Sequence, residues 1–368
     1  MASIQSTTDS MNTLPRIAAL VALLATSRAT EPSIVRQVLD PAEPTQGDSL
    51  IWTGLMPGAW KELGKLAGVE KIDLKNLSDG KDNPAAIVLN EAAGHLENLL
   101  PADTKVWAGT PDQRLINQIN ADLSKLFPGA NRHVSIEPSS DPNTLAVVVA
   151  LNHRVQFASR FLSSKKQAMS FRPSKGDAIQ VPYFGTRGAA NEEFSINEIR
   201  VHYYRPLNNF ILELKTKANQ ESLWIVRRPD APTLQSHMDA VRQIQANPDP
   251  SITAALTRED TLMVPRIHLE NNGDFAKELE GTFLGKNQSP YTITNAQQWI
   301  DFQLDESGFG IKAVASMAAD PFGGPAPEKT KPKPRRLICD GPFSIFLWRT
   351  RSYLPYAAFH FDGGKWQQ

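Results

Sequence analysis

The sequence is poor in the groups that most often announce a chemistry. It has one cysteine, Cys339, in 368 residues. One cysteine cannot close an internal disulfide or build a cysteine-based zinc site, so stability must come from packing. It has no excess charge, because 39 Lys and Arg balance 39 Asp and Glu. That removes the electrostatic case for nucleic acid or an anionic membrane as the main partner. It has no apolar run long enough to span a bilayer. It has no Gly-x-Ser-x-Gly elbow and no Walker loop, and its 7 histidines are scattered without helical metal-ligand spacing. Asp301, Asp305 and Glu306 read as solvated strand-end charges. Cys339 flanks an apolar segment and reads as a small packed residue rather than a nucleophile. No enzyme activity, cofactor or metal is expected.

Apolar residues are plentiful at 41%, enough for a large core. The N-terminus carries Arg16, then the short apolar run Ile17–Ala25, then Ser27-Arg28-Ala29, with small residues at the two positions a signal peptidase reads. This pattern predicts a signal peptide over 1–29 and a secreted, periplasmic or extracellular product; a first amphipathic helix is the alternative. Helical periodicity is read over Ala59–Leu66, over Pro84–Leu100 with Ile87, Leu89, Ala93, Leu96 and Leu100 on one face, and over Asp112–Phe127. Leu145–Leu151 is almost continuously apolar and reads as a strand buried on both faces. Further strands are expected at Glu198–Tyr204, Phe210–Leu214, Leu223–Val226, Leu262–Leu269, Trp299–Leu304 and Phe343–Trp348, with helices at Thr233–Ala246 and Phe275–Leu284. The proline-rich stretch Asp320–Arg336 with its basic end reads as an extended solvated loop. Trp52, Trp60, Phe157, Phe161, Trp224, Trp299 and Trp348 sit in apolar patterns that fit a core. The content is α+β.

Six segments, in order and with kept spacing, resemble the serpin family of protease inhibitors. They are Leu145–Phe161 with Phe157 and Phe161 four apart, then Phe171, Gly176 and Val181-Pro182, then Ile211–Leu214 with Ser222–Val226, then Val264–Glu270 with Asp274-Phe275 and Leu279, then Trp299–Gly308, and last Asp340–Phe343 with its apolar strand. Leu50–Thr53 stands where the family carries an early strand, and the interval after it is shorter than usual. Where the family has an Asn and a His in a polar network beneath its main sheet, this chain has Val149 and Gln298.

The resemblance implies a serpin-like α+β fold over 30–368, with large mixed and antiparallel sheets, helices packed around them, and an exposed reactive-loop-like segment at 308–336. It implies a monomer that meets a serine protease, trypsin-like or chymotrypsin-like, as a suicide substrate. The protease cuts the loop, and the loop's first half then enters the main sheet as a new strand. The hinge of that strand falls on Glu306, Gly308, Phe309, Gly310, Ile311, Ala313 and Ala315. The large Phe309 and Ile311, where inhibitors carry small residues, are expected to slow entry through overpacking. The scissile bond falls at Phe322-Gly323 counted from the hinge, or near Lys329-Thr330 counted from the C-terminal strand, with Lys331, Arg335 and Arg336 as further basic positions. The alternative is a non-inhibitory serpin-fold binding protein.

Overall fold

The computed structural model describes residues 34–45, 47–128, 136–141, 144–186, 198–206, 209–218, 220–248, 253–293, 295–311, 334–363 and 366. Residues 1–29, and the loop residues Ala313, Ala315, Phe322, Gly323, Lys329, Thr330 and Lys331, lie outside them.

Among the described residues the chain forms β1 (Val35–Gln37), β2 (Ser49–Thr53), α1 (Leu55–Ala67), β3 (Lys75–Asn76), α2 (Pro84–Gly94), β4 (Lys105–Gly109), α3 (Gln113–Leu126), β5 (Ala146–Ala150), β6 (His153–Gln156), β7 (Leu162–Phe171) and β8 (Ile179–Gly185). There follow β9 (Ile199–Arg205), β10 (Asn209–Lys215), β11 (Glu221–Arg227), α4 (Leu234–Ala246), β12 (Ala254–Ala255), β13 (Thr261–Pro265), β14 (Ile267–Asp274), β15 (Gly281–Leu284) and β16 (Pro290–Ile293). The last are β17 (Gln297–Asp305), β18 (Gly308–Ile311), β19 (Arg336–Ile338), β20 (Phe343–Arg349) and β21 (Ala357–Phe361).

The helix starts follow from capping chemistry. Asn83, Asp112 and Thr233 each accept a hydrogen bond from a backbone N–H of the first turn, and Pro84 opens α2 where its missing N–H costs nothing. α1 stops at Gly68, which takes a left-handed conformation.

One sheet runs β1-β2-β21-β20-β11-β10-β9-β12. Its middle strands are apolar on both faces, and Leu223, Ile225, Val226, Ile345, Phe346, Leu347 and Phe359 have no exposed surface. A second sheet, β14-β17-β18-β6, packs against it, and Phe302 of β17 stacks on Phe359 of β21 at 4.1 Å. A third sheet runs β19-β13-β8-β7, a small one runs β16-β15-β3, and β4 pairs with β5 alone.

Several expectations need correction. α2 ends at Gly94 rather than Leu100, and Ile87 is on its solvent side, 57% exposed. Leu262–Leu269 is two strands in different sheets, broken at Arg266. Gly281–Leu284 is a strand, not the end of a helix; Phe275 and Leu279 are buried with α1 and α2 residues all the same. β5 is half-buried along most of its length, not buried on both faces. Trp299 is also only half-buried.

Candidate functional site

β17 carries an alternating pattern, with Ile300, Phe302 and Leu304 facing the core. After Asp305 the chain turns and comes back as β18. Ser307 N–H donates to Asp305 Oδ1 at 2.7 Å, which holds the turn. The next residue has to be a glycine. A Cβ on Gly308 would lie 2.1 Å from the Val155 carbonyl oxygen, and its φ of +157° suits only glycine. β18 then pairs antiparallel with β17 on one side, Leu304 opposite Phe309 and Phe302 opposite Ile311. It pairs antiparallel with β6 on the other, Phe309 opposite Val155 and Ile311 opposite His153. Gly308, Phe309, Gly310 and Ile311, four of the residues expected in the hinge, thus form a short central strand.

Phe309 is 2% exposed and Ile311 6%. The Phe309 ring meets Phe157 edge-on at 6.2 Å, and Phe157 in turn meets Phe161 at 5.0 Å. A benzyl side chain expected to obstruct strand entry is already inside, in an aromatic cluster that its size fills.

Glu306 and Asp301 correct the reading as solvated charges. Glu306 is 7% exposed; its carboxylate takes hydrogen bonds from Arg160 at 3.1 Å and Arg266 at 2.5 Å. Burial raises its carboxyl pKa, but its own backbone N–H and the two guanidinium groups outweigh that and leave it below the usual value. The backbone joins in: Phe161 N–H donates to the Glu306 carbonyl and Phe157 N–H to that of Ser307. Asp301 is 3% exposed, and only Asp305 of the three is solvated. His268, Glu270 and Asp301 bring ligand atoms within 4.8 Å of one another, and among the described residues they are the group with metal-compatible spacing. Strand pairing assembles them, which the spacing of histidines along the sequence could not show.

Below β18 the sheet is not continuous. Among the described residues β5, the downward continuation of β6, pairs only with β4, and β17 has no partner on that side beyond Ile311. The C-terminal end of α3 lies across this place. Asn152 Nδ2 donates to the Leu126 carbonyl, and Phe127 meets Trp299 of β17 edge-on at 5.8 Å. Gln298, which stands where the family has a His, is itself part of a buried polar network. Its Oε1 accepts from Thr53 Oγ1 at 2.7 Å, and its Nε2 donates to Gln37 Oε1 at 2.7 Å. Gln37 also donates to Asn271 Oδ1 at 3.0 Å.

At its far end the loop returns through Arg335, which is 9% exposed and not available as a basic cleavage position. Its guanidinium donates to Asp260 Oδ2 through Nε at 3.1 Å and Nη2 at 2.8 Å, and its backbone N–H donates to Asp260 Oδ1. Burial raises the Asp260 carboxyl, but these hydrogen bonds more than reverse it and hold the group ionised. Arg336 begins β19, parallel to β13. The sheets therefore take both ends of the expected 308–336 loop segment, four residues at one end and the 335–336 corner at the other. Cys339 has no exposed surface, and burial pushes its thiol up to about 12, as expected of a packed residue.

Solved structures resemble this fold over most of the chain. Maspin covers 86% of this chain and 92% of its own, at 13% identity and a TM-score of 0.54. A thermophilic serpin, tengpin, in the native state covers 86% and 89%, at 10% identity and 0.52. Human glycosylated kallistatin covers 85% and 91%, at 12% identity and 0.51. The chain has the serpin fold. No family model matches it, and neither does any curated protein. Sequence reasoning missed Arg160, Arg266 and Asp260 as partners of Glu306 and Arg335; the one signal was a charged residue, Arg266, inside the apolar run Leu262–Leu269.

Proposed function

We propose that this serpin-fold chain is a suicide-substrate inhibitor of a serine peptidase, with the segment after Ile311 as its bait. The observation that carries the reading is β18, hydrogen-bonded in register to strands on both sides. It supports a main sheet able to take the loop as a strand. The peptidase serine oxygen attacks the scissile carbonyl, the C–N bond breaks, and the new amine leaves with the serine's proton. The ester that remains is trapped when the freed loop continues β18 downward and drags the peptidase out of its working geometry. Phe322 suits a chymotrypsin-like peptidase and Lys329 a trypsin-like one. The apolar run before residue 29 supports export, and among the described residues no helix is long and apolar enough to cross a membrane.

A second reading, a non-inhibitory binding protein, is favoured by the end of α3 across the lower part of the sheet. Incubation with one peptidase of each type, read on a denaturing gel, separates the two. A covalent band larger than either partner is expected. Cut chain beside fully active peptidase would leave the binding reading.

A further inference from the structure

β14 and β17 pair antiparallel without a break from Ile267 to Asp274. Their inward rows, Ile267 and Leu269 on one strand and Ile300, Phe302 and Leu304 on the other, belong to the core. The outward rows put His268 opposite Gln303 and Glu270 opposite Asp301. Side chains directly opposite on one face of an antiparallel pair have Cβ atoms about 5 Å apart, so these four form one group. Two carboxylates in that relation repel and oppose the pairing. One of them is also buried, with the Asp301 side chain only 1% exposed, and a buried carboxylate calls for positive charge beside it. The register is nevertheless kept through both. His268 joins the two, with Nε2 3.8 Å from Glu270 Oε1 and 3.7 Å from Asp301 Oδ1. Ligand atoms of all three residues lie within 4.8 Å of one another.

We propose that His268, Glu270 and Asp301 form a binding site for a divalent transition-metal cation of the zinc class, held between β14 and β17. A tetrahedral zinc ion with bonds of about 2.0–2.1 Å keeps its ligand atoms about 3.4 Å apart. The two distances from His268 therefore close by about 0.3–0.4 Å on binding, a small side-chain adjustment. Two carboxylates cancel the charge of the ion, and the repulsion across the register becomes attraction to a shared centre. The imidazole nitrogen selects against calcium and magnesium, which take oxygen ligands and more of them. Asp301, buried at the middle of β17, is the rigid ligand. His268 and Glu270, with side chains 43% and 53% exposed, leave a path in for the ion and room for a water as fourth ligand. Gln303 Nε2 lies 3.4 Å from His268 Nε2 and 3.5 Å from Asp301 Oδ1, and so steadies both ligands from the outer shell. The site lies on the outward rows and does not depend on the inhibitor reading.

The test uses the full-length chain, stripped with a chelator and dialysed. It is titrated with zinc chloride in a calorimeter and with cobalt chloride in a spectrophotometer. Wild type is expected to bind one zinc per chain, to melt higher in its presence, and to give the intense visible absorption of four-coordinate cobalt. His268→Ala and Glu270→Gln alter outward side chains that reach solvent and leave the core alone, so both are expected to fold as wild type does. Each should weaken zinc binding by at least about tenfold and lose the cobalt band, and Gln303→Ala should weaken binding about tenfold. Equal zinc affinity in wild type, His268→Ala and Glu270→Gln would place the ion elsewhere and overturn the site. Wild type with no zinc heat and only the pale spectrum of hydrated cobalt would overturn it as well.

Discussion

The two large sheets face each other across one core, yet they are built on opposite terms. In the sheet around β11, β20 and β21, each central strand is paired along its length and carries apolar residues on both faces. In the sheet around β17 and β6, pairing among the described residues is complete only where β18 sits, and β5 below it is half-buried. The first sheet's stability is spread over many zero-exposure side chains. The second sheet buries Phe302, Leu304, Phe309 and Val155 in the same core but adds separate polar ties: Glu306 with two arginines, Gln298 with Thr53 and Gln37, and His153 with Asp103 and Glu221. A continuous apolar surface resists any local change, whereas a set of point ties can be released one at a time. The fold thus gathers these ties on one side of the core.

The largest expected break in this contrast is in the sealed sheet. Phe346→Ala should cost about 3–5 kcal/mol in denaturant unfolding, since the cavity has no solvent side into which to collapse. A loss under about 1 kcal/mol would mean that the two sheets are equally adaptable. Asp260→Ala should cost a similar few kcal/mol, about 3–5 for a buried pair broken on one side, and should open the backbone near Arg335 to proteolysis. Next comes pH. Burial first, then the nearby His237, holds His360 down to about 3, and burial despite the Arg228 carbonyl holds His237 down to about 4. Both are neutral in the folded state, bridged by Ser344 Oγ. The stability they contribute is present above the unfolded value near 6.5 and is lost as pH falls from there toward about 4. His153 has the opposite sign: its contribution is present below about 6.5 and is lost as pH rises through about 9. Melting temperature against pH should therefore fall on both sides, and His153→Gln should remove the alkaline fall alone. The smallest effect is Thr53→Ala, about 1 kcal/mol for one hydrogen bond to Gln298, read in the same denaturant curves.

Much of the sealed sheet was legible because its strands are short, apolar and bounded by turn residues. Phe210–Leu214, Leu223–Val226 and Phe343–Trp348 fall within observed strands, and Asp112 and Thr233 sit at helix caps. The turn after β17 was legible as Gly308 behind a strand and an acidic pair. What escaped was set by tertiary pairing. Leu262–Leu269 reads as one strand because most of it is apolar, although at Pro265 and Arg266 the chain passes from one sheet to another. Phe275–Leu284 has helical spacing, but Gly281–Leu284 is recruited as a strand by β16 and β3. Phe309 looked too large for a place in a sheet because its cavity, lined by Phe157 and neighbouring rings, comes from residues about 150 positions away in sequence.

Gly308 has a consequence for the register of β18. No other residue fits where its Cα passes the Val155 carbonyl, so β18 cannot be displaced along its neighbours, which would carry Phe309 or Ser307 through that point. The glycine works as a fixed origin. Side chains alternate between faces, so a shift by one residue would turn Phe309 and Ile311 out of the core. One residue without a side chain thus sets where every side chain of the strand must lie.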